Sequence, residues 1–181
     1  AVFVGAELGF AVNGKEVGSW QAVALKDGDL ISFRGTKCGC RGYLCFAGGI
    51  DVPLVMGSRS TYTRAKIGGY QGRALKSGDV LKTGEPNLLW RRNAGFVLPQ
   101  ELRPDYQSDR PLKIIQGLQQ DAFTEAGLAT LFGSEYTVTN ESDRMGCRFE
   151  GPQVEHAKSA DIVSDAIPLG AVQIPGHGLP I

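Results

Sequence analysis

Three clusters in this 181-residue chain place small residues beside groups able to do polar chemistry. The first is Gly57, Ser58, Arg59, Ser60 and Thr61, followed by Gly68, Gly69, Gly72 and Arg73. Arg59 offers a planar fork of N–H donors suited to a carboxylate or phosphate, and the hydroxyls and nearby amides can form an anion-binding nest. The competing structural reading is a loop in which Arg59 pairs with Asp51 or Asp79. The second cluster is Ser142, Asp143, Arg144, Met145 and Gly146. Asp143 is a candidate general base or an orienter of Arg144, against the alternative of a structural Asp–Arg pair in a turn. The third lies within 161–178, where Ser164, Asp165 and Gln173 stand among glycine and proline; Asp165 is either catalytic or a turn cap.

Generic motifs are absent. There is no G-x-S-x-G elbow, no H-E-x-x-H, no G-x-x-x-x-G-K-[ST] and no G-x-G-x-x-G. Cys38, Cys40, Cys45 and Cys147 contain no Cys-x-x-Cys pair to organise a tetrahedral zinc, so they read as free thiols of the buried, core type. His156 and His177 are too few and too scattered for a His-rich centre, and no metal site is expected.

The elements that must position these clusters are predominantly strands. Hydrophobic content of 42% is enough for a real core, and 19 basic residues balance 19 acidic ones. That balance lacks the electrostatic footprint of a nucleic-acid or anionic-membrane binder and directs attention to small molecules and other proteins. No apolar run approaches the roughly 20 residues that span a bilayer, so a soluble, cytoplasmic protein is expected. Asn13-Gly14 marks a hairpin between strands over 8–12 and 15–18, because a type I′ turn needs positive φ at both central positions. Further strands are predicted over 20–25, 30–33, 43–47, 112–116, 136–139, 147–150 and 171–174. A run from Ala24 to Leu30 recurs as Ala74 to Val80, each with Lys, then Gly-Asp, which we read as shared turn chemistry rather than a duplicated domain. One helix is expected after Thr124 as N-cap, with Leu128, Leu131 and Phe132 on one face and Gly127 as a weak point worth about 1 kcal/mol. The resulting division is a β-barrel part over 1–85, a surface linker over 86–111, and a second β-rich part with one helix over 112–181. The apolar ends, Ala1 to Val4 and Leu179 to Ile181, read as cuts through strands.

Several long stretches occur in an order and spacing that resemble the biotin-dependent carboxyltransferase family, which includes the C-type subunit of 5-oxoprolinase and the second subunit of allophanate hydrolase. They are 47–53, 57–61 and 68–75 with Gly78-Asp79, then 121–124, 142–148, 150–152, 160–165 and 167–173. Similar proteins favour an aspartate and a glutamine where this chain has His177 and Leu179. The resemblance implies a cyclophilin-like β-barrel with one or two short helices, incomplete at both ends because such proteins run to roughly 300 residues. It also implies one member of a complex with 5-oxoprolinase subunits A and B, the latter resembling a kinase inhibitor. That complex hydrolyses 5-oxo-L-proline to L-glutamate, with ATP and Mg used at the level of the complex. The chain alone is expected to be inactive. Alternatives are a carboxyltransferase component of a urea carboxylase or allophanate system, where biotin would enter, and a non-catalytic regulator of the kinase-inhibitor-like partner. Within that resemblance, Ser58, Arg59, Ser60, Arg144 and Gln173 are expected to bind substrate or phosphate, and Asp143 and Asp165 to catalyse.

Overall fold

The computed structural model describes residues 1–106, 111–164 and 166–181. The chain forms two compact units, Ala1–Arg110 and Pro111–Ile181.

The first unit is built on short strands. β1 (Val2–Glu7) pairs antiparallel with β5 (Cys38–Cys45), setting Val2 opposite Cys45 and Val4 opposite Tyr43. β2 (Phe10–Val12) lies between β3 (Lys15–Glu16) and β4 (Ile31–Phe33). Asn13 and Gly14 connect β2 to β3 with φ of 50° and 76°, the positive pair that the hairpin requires. Apolar residues at these strands meet in a small core of Phe3, Ala6, Phe10, Ala11 and Val52. The ring of Phe3 lies 5.6 Å from Phe10 and 5.0 Å from Phe33, with Phe10 and Phe33 5.7 Å apart. The buried rings of Phe3 and Phe10 contribute about 2 kcal/mol each and, with the exposed Phe33 ring against them, anchor the sheets.

Strand content exceeds helix content, as expected, but the sheets are open. In this unit their orders are β1-β5 and β3-β2-β4, and no closed barrel forms among the described residues. The predicted strand over 20–25 reduces to bridges at Gln21 and Ala22. Trp20 adopts a left-handed φ of 65°, which breaks extended geometry at the start of that stretch. Its amide donates to Phe3 O and its carbonyl accepts from Leu98 N–H, at 2.8 and 2.9 Å, while Ala22 exchanges bonds with Gly95 and Phe96. Residues 94–98 of the expected linker are thereby hydrogen-bonded within the first unit, next to a one-turn helix α1 (Trp90–Asn93). The strand placed over 43–47 is the end of β5, which starts at Cys38. Cys38 is half-buried and Cys40, Cys45 and Cys147 are exposed, so the thiols are free but not core residues.

In the second unit the predicted helix appears as α2 (Glu125–Gly133), with Thr124 Oγ1 accepting from Gly127 N–H at 2.9 Å. Gly127 is the helix's buried residue, because a Cβ there would press on the backbone of Glu155. The glycine that weakens the helix locally is what permits its close approach. β6 (Thr137–Val138) and β7 (Phe149–Glu150) form the expected hairpin, shorter than predicted. No strand forms over 112–116, where Leu112 and Ile115 are 88% and 93% exposed and no neighbour satisfies the backbone ladder. Over 171–174 only Gln173 pairs, exchanging two backbone bonds with Ile181. Among the described residues, no helix is long and apolar enough to cross a membrane.

Candidate functional site

The first two clusters belong to different units. In the first unit Val55 and Ser58 close a tight turn, each amide donating to the other's carbonyl at 2.9 and 3.0 Å. Met56 and Gly57 occupy its apex with φ of 51° and 76°. Arg59 leaves this turn and donates from Nε to Val52 O at 3.0 Å, a bond that ties it to the rim of the core. Its two Nη groups have no partner among the described residues. Ser60 N–H donates to Ser58 Oγ at 3.1 Å, so Ser58, Arg59 and Ser60 form one exposed loop.

Arg59 therefore pairs with neither Asp51 nor Asp79, contrary to the structural alternative. Asp79 is held by Arg73 instead, through Nη1 to Oδ2 at 2.7 Å and Nη2 to Oδ1 at 2.8 Å. Arg73 also contacts Gln71 Oε1 and lies 5.3 Å from the Tyr70 ring centre. The Arg73 hydrogen bonds, reinforced by the Lys76 amide, hold the Asp79 carboxyl down at about 2. With its fork filled, Arg73 is a structural clamp.

In the second unit, Asp143 Oδ1 accepts from Met145 N–H at 2.8 Å and Gly146 N–H at 3.3 Å. Ser142 Oγ donates to Arg148 O and accepts from Arg148 N–H, at 3.1 and 2.8 Å, so this loop is fastened across its neck. Oδ1 of Asp143 is thus committed to capping the turn. Arg144, next to it, is exposed. Gln173 lies on the stretch paired with Ile181 and is exposed. Asp165 lies outside the described residues.

The cavities fall elsewhere. A cavity of about 500 Å³ in the second unit is walled by the β6–β7 hairpin and by His177, Leu179, Pro180 and Ile181; its polar side chains are Thr139, Asn140, Glu141, Arg148, Glu150 and His177. A smaller one of about 330 Å³ in the first unit is lined by Glu7, Trp20, Cys38, Arg103, Asp105 and Tyr106 among others. None of the described candidate site residues lines either. Arg148 reads from sequence as a hairpin residue; the pairing of Phe149 N–H with Pro180 O, at 3.2 Å, and of Val154 N–H with Gly178 O, at 2.8 Å, folds the C-terminal stretch against the hairpin. The available signal is its place at the end of the 142–148 stretch, one of those that carry the family resemblance.

Known proteins resemble this chain along nearly its whole length. The family described as carboxyltransferase domain, subdomain A and B, matches residues 1–181. The C-type subunit of 5-oxoprolinase from Haemophilus influenzae is 33% identical over 94% of this chain and 52% of that protein. A urea amidolyase of Saccharomyces cerevisiae is 34% identical over 82% of this chain and 8% of that protein. The crystal structure of the K. lactis urea amidolyase superposes with a TM-score of 0.77 at 27% identity, covering 99% of this chain and 12% of that one. The chain thus spans about half the length of the Haemophilus influenzae protein and under a tenth of the Saccharomyces cerevisiae enzyme.

Proposed function

The chain belongs to the carboxyltransferase domain family, subdomains A and B, and on that premise we propose that it forms part of the C-type subunit of an ATP-dependent 5-oxoprolinase, an assembly opening 5-oxo-L-proline to L-glutamate. The observation supporting this reading is the 33% identity with the C-type 5-oxoprolinase subunit of Haemophilus influenzae over 94% of the chain. The A and B partners, the latter resembling a kinase inhibitor, would complete the site.

In this reading Arg59 supplies its two open Nη groups to a carboxylate or to the oxyanion that develops as the lactam carbonyl is attacked. Ser58 and Ser60 flank it, and Arg144 provides a second cation. Asp143 or Asp165 orients the water whose oxygen joins the lactam carbon while the ring C–N bond breaks and the nitrogen takes up a proton. Nucleotide and Mg are a different matter. Each cavity sets one arginine beside two carboxylates, Arg148 with Glu141 and Glu150, and Arg103 with Glu7 and Asp105. Neither suits a triphosphate, because like charges oppose it, which supports the reading that ATP is used at the level of the complex.

The test is Arg59→Ala in a reconstituted three-subunit enzyme. Turnover of 5-oxo-L-proline should fall about 10²-fold, the usual effect of losing one oxyanion donor, with circular dichroism unchanged; a wild-type rate would remove Arg59 from the chemistry. A second reading, the carboxyltransferase part of a urea carboxylase, is favoured by the TM-score of 0.77 with the K. lactis urea amidolyase. It requires a biotin-carrying partner and urea-dependent turnover, which the same preparation can be assayed for.

A further inference from the structure

We propose that the cavity between the β6–β7 hairpin and residues 177–181 is a binding site for a small mono-carboxylate that also carries N–H groups, with Arg148 as its anion anchor. This rests on the reading just given, and adds to it a site and an anchoring residue. Arg148 is half-buried, yet its guanidinium has no hydrogen bond or ion pair among the described residues. Its backbone is pinned at both ends by Ser142 Oγ, and its carbonyl also accepts from Thr139 N–H at 2.8 Å. A fixed stem carrying an unused fork is suited to two-point capture of a carboxylate.

The other groups of the wall narrow the ligand. Leu179 N–H donates to His177 Nδ1 at 3.1 Å, so in the neutral ring the proton sits on Nε2, which is a second donor. Glu141 and Glu150 line the same space and their carboxylates have no partner there, so they accept N–H groups and oppose a second negative charge. Val138, Leu179 and Ile181 supply an apolar wall for a short carbon skeleton. A dianion or a phosphate ester is disfavoured by the two glutamates, and an uncharged amide would leave the Arg148 fork unfilled. A lactam acid or an amino acid satisfies both sets.

The experiment is direct titration of this chain with 5-oxo-L-proline, L-glutamate and urea, read by calorimetry or ligand-observed NMR, for wild type, Arg148→Gln and Arg148→Lys. 5-oxo-L-proline, the mono-carboxylate, should bind more tightly than urea and more tightly than L-glutamate, whose second carboxylate faces Glu141 and Glu150. Arg148→Gln should weaken 5-oxo-L-proline binding at least tenfold, and Arg148→Lys by less, since it keeps the charge and loses the fork. Should Arg148→Gln fail to fold, as judged by circular dichroism, the lysine variant carries the comparison. Absence of carboxylate binding to wild type, or binding unchanged in both variants, overturns the proposal. Turnover by the three-subunit enzyme combined with Arg148-independent binding would sink this site and leave the proposed function standing; Arg148-dependent binding without turnover would do the reverse.

Discussion

Two turns of the first unit share one local design and differ in what surrounds it. Around Asp29 and around Asp79, the lysine three residues earlier donates its amide to the carboxylate at 2.7 Å, and the aspartate amide returns a bond to the lysine carbonyl at 3.1 Å. Gly28 and Gly78 sit between with φ of 81° and 88°. Beyond that the turns part company. Asp29 takes a neutral donor, Asn13 Nδ2 at 2.8 Å, whereas Asp79 takes both arms of Arg73. The Lys26 amide and then Asn13 lower Asp29 from its ordinary range, while Arg73 is the largest cause of the deeper shift at Asp79. A repeated turn fixes backbone shape; the imported partner decides how much depends on it.

The sharpest way to break this comparison is Asp79→Ala beside Asp29→Ala. The first strands the Arg73 guanidinium and should lower the melting temperature by about 5 °C or more, with the second costing about half that. Equal losses would mean that Arg73 adds nothing to the turn. Acid titration gives a smaller and more selective effect. Because the folded Asp79 carboxyl sits at about 2, below its ordinary 3.8, it contributes stability that is present above about pH 4 and drains away as pH falls toward 2. Urea midpoints measured at about pH 5, above that window, and at about pH 2.5, well into it, should therefore differ less in Asp79→Asn than in wild type, while Asp29→Asn should change that difference less. The mildest test sharpens the likeness. Neither glycine has an atom within 4 Å of a built Cβ, so Gly28→Ala and Gly78→Ala should each cost only the left-handed backbone term of about 1 kcal/mol, and the two values should agree.

Features encoded within a few residues are the ones legible in the sequence. The Asn13-Gly14 hairpin, the Thr124 cap and the recurring Asp turn each depend on neighbours in the chain, and each forms as expected. Features that need a distant partner are not legible in this way. Leu112, Ile114 and Ile115 have strand-favouring side chains, but a strand exists only where another pairs with it, and none does here. Trp20 and Ala22 have the side chains of strand residues and instead serve as bridges to 94–98. The open sheets follow the same rule, since closure of a barrel depends on long-range register. At the candidate sites, the loop of Ser58, Arg59 and Ser60 is visible because glycine and serine announce it. The Arg148 cavity is not, because its wall joins residues 138–150 to 177–181 through contacts that no local spacing records.

The link that Trp20 makes between Phe3 and Leu98 has a practical optical consequence. The chain has two tryptophans, Trp20 and Trp90, and both lie in the first unit. Trp20 lines a cavity beside Cys38, and Trp90 opens α1. Intrinsic indole emission therefore originates within residues 1–110. A denaturation curve recorded by fluorescence tracks one half of the chain, while far-ultraviolet ellipticity sums over both. Any gap between the two traces measures how independently the halves come apart.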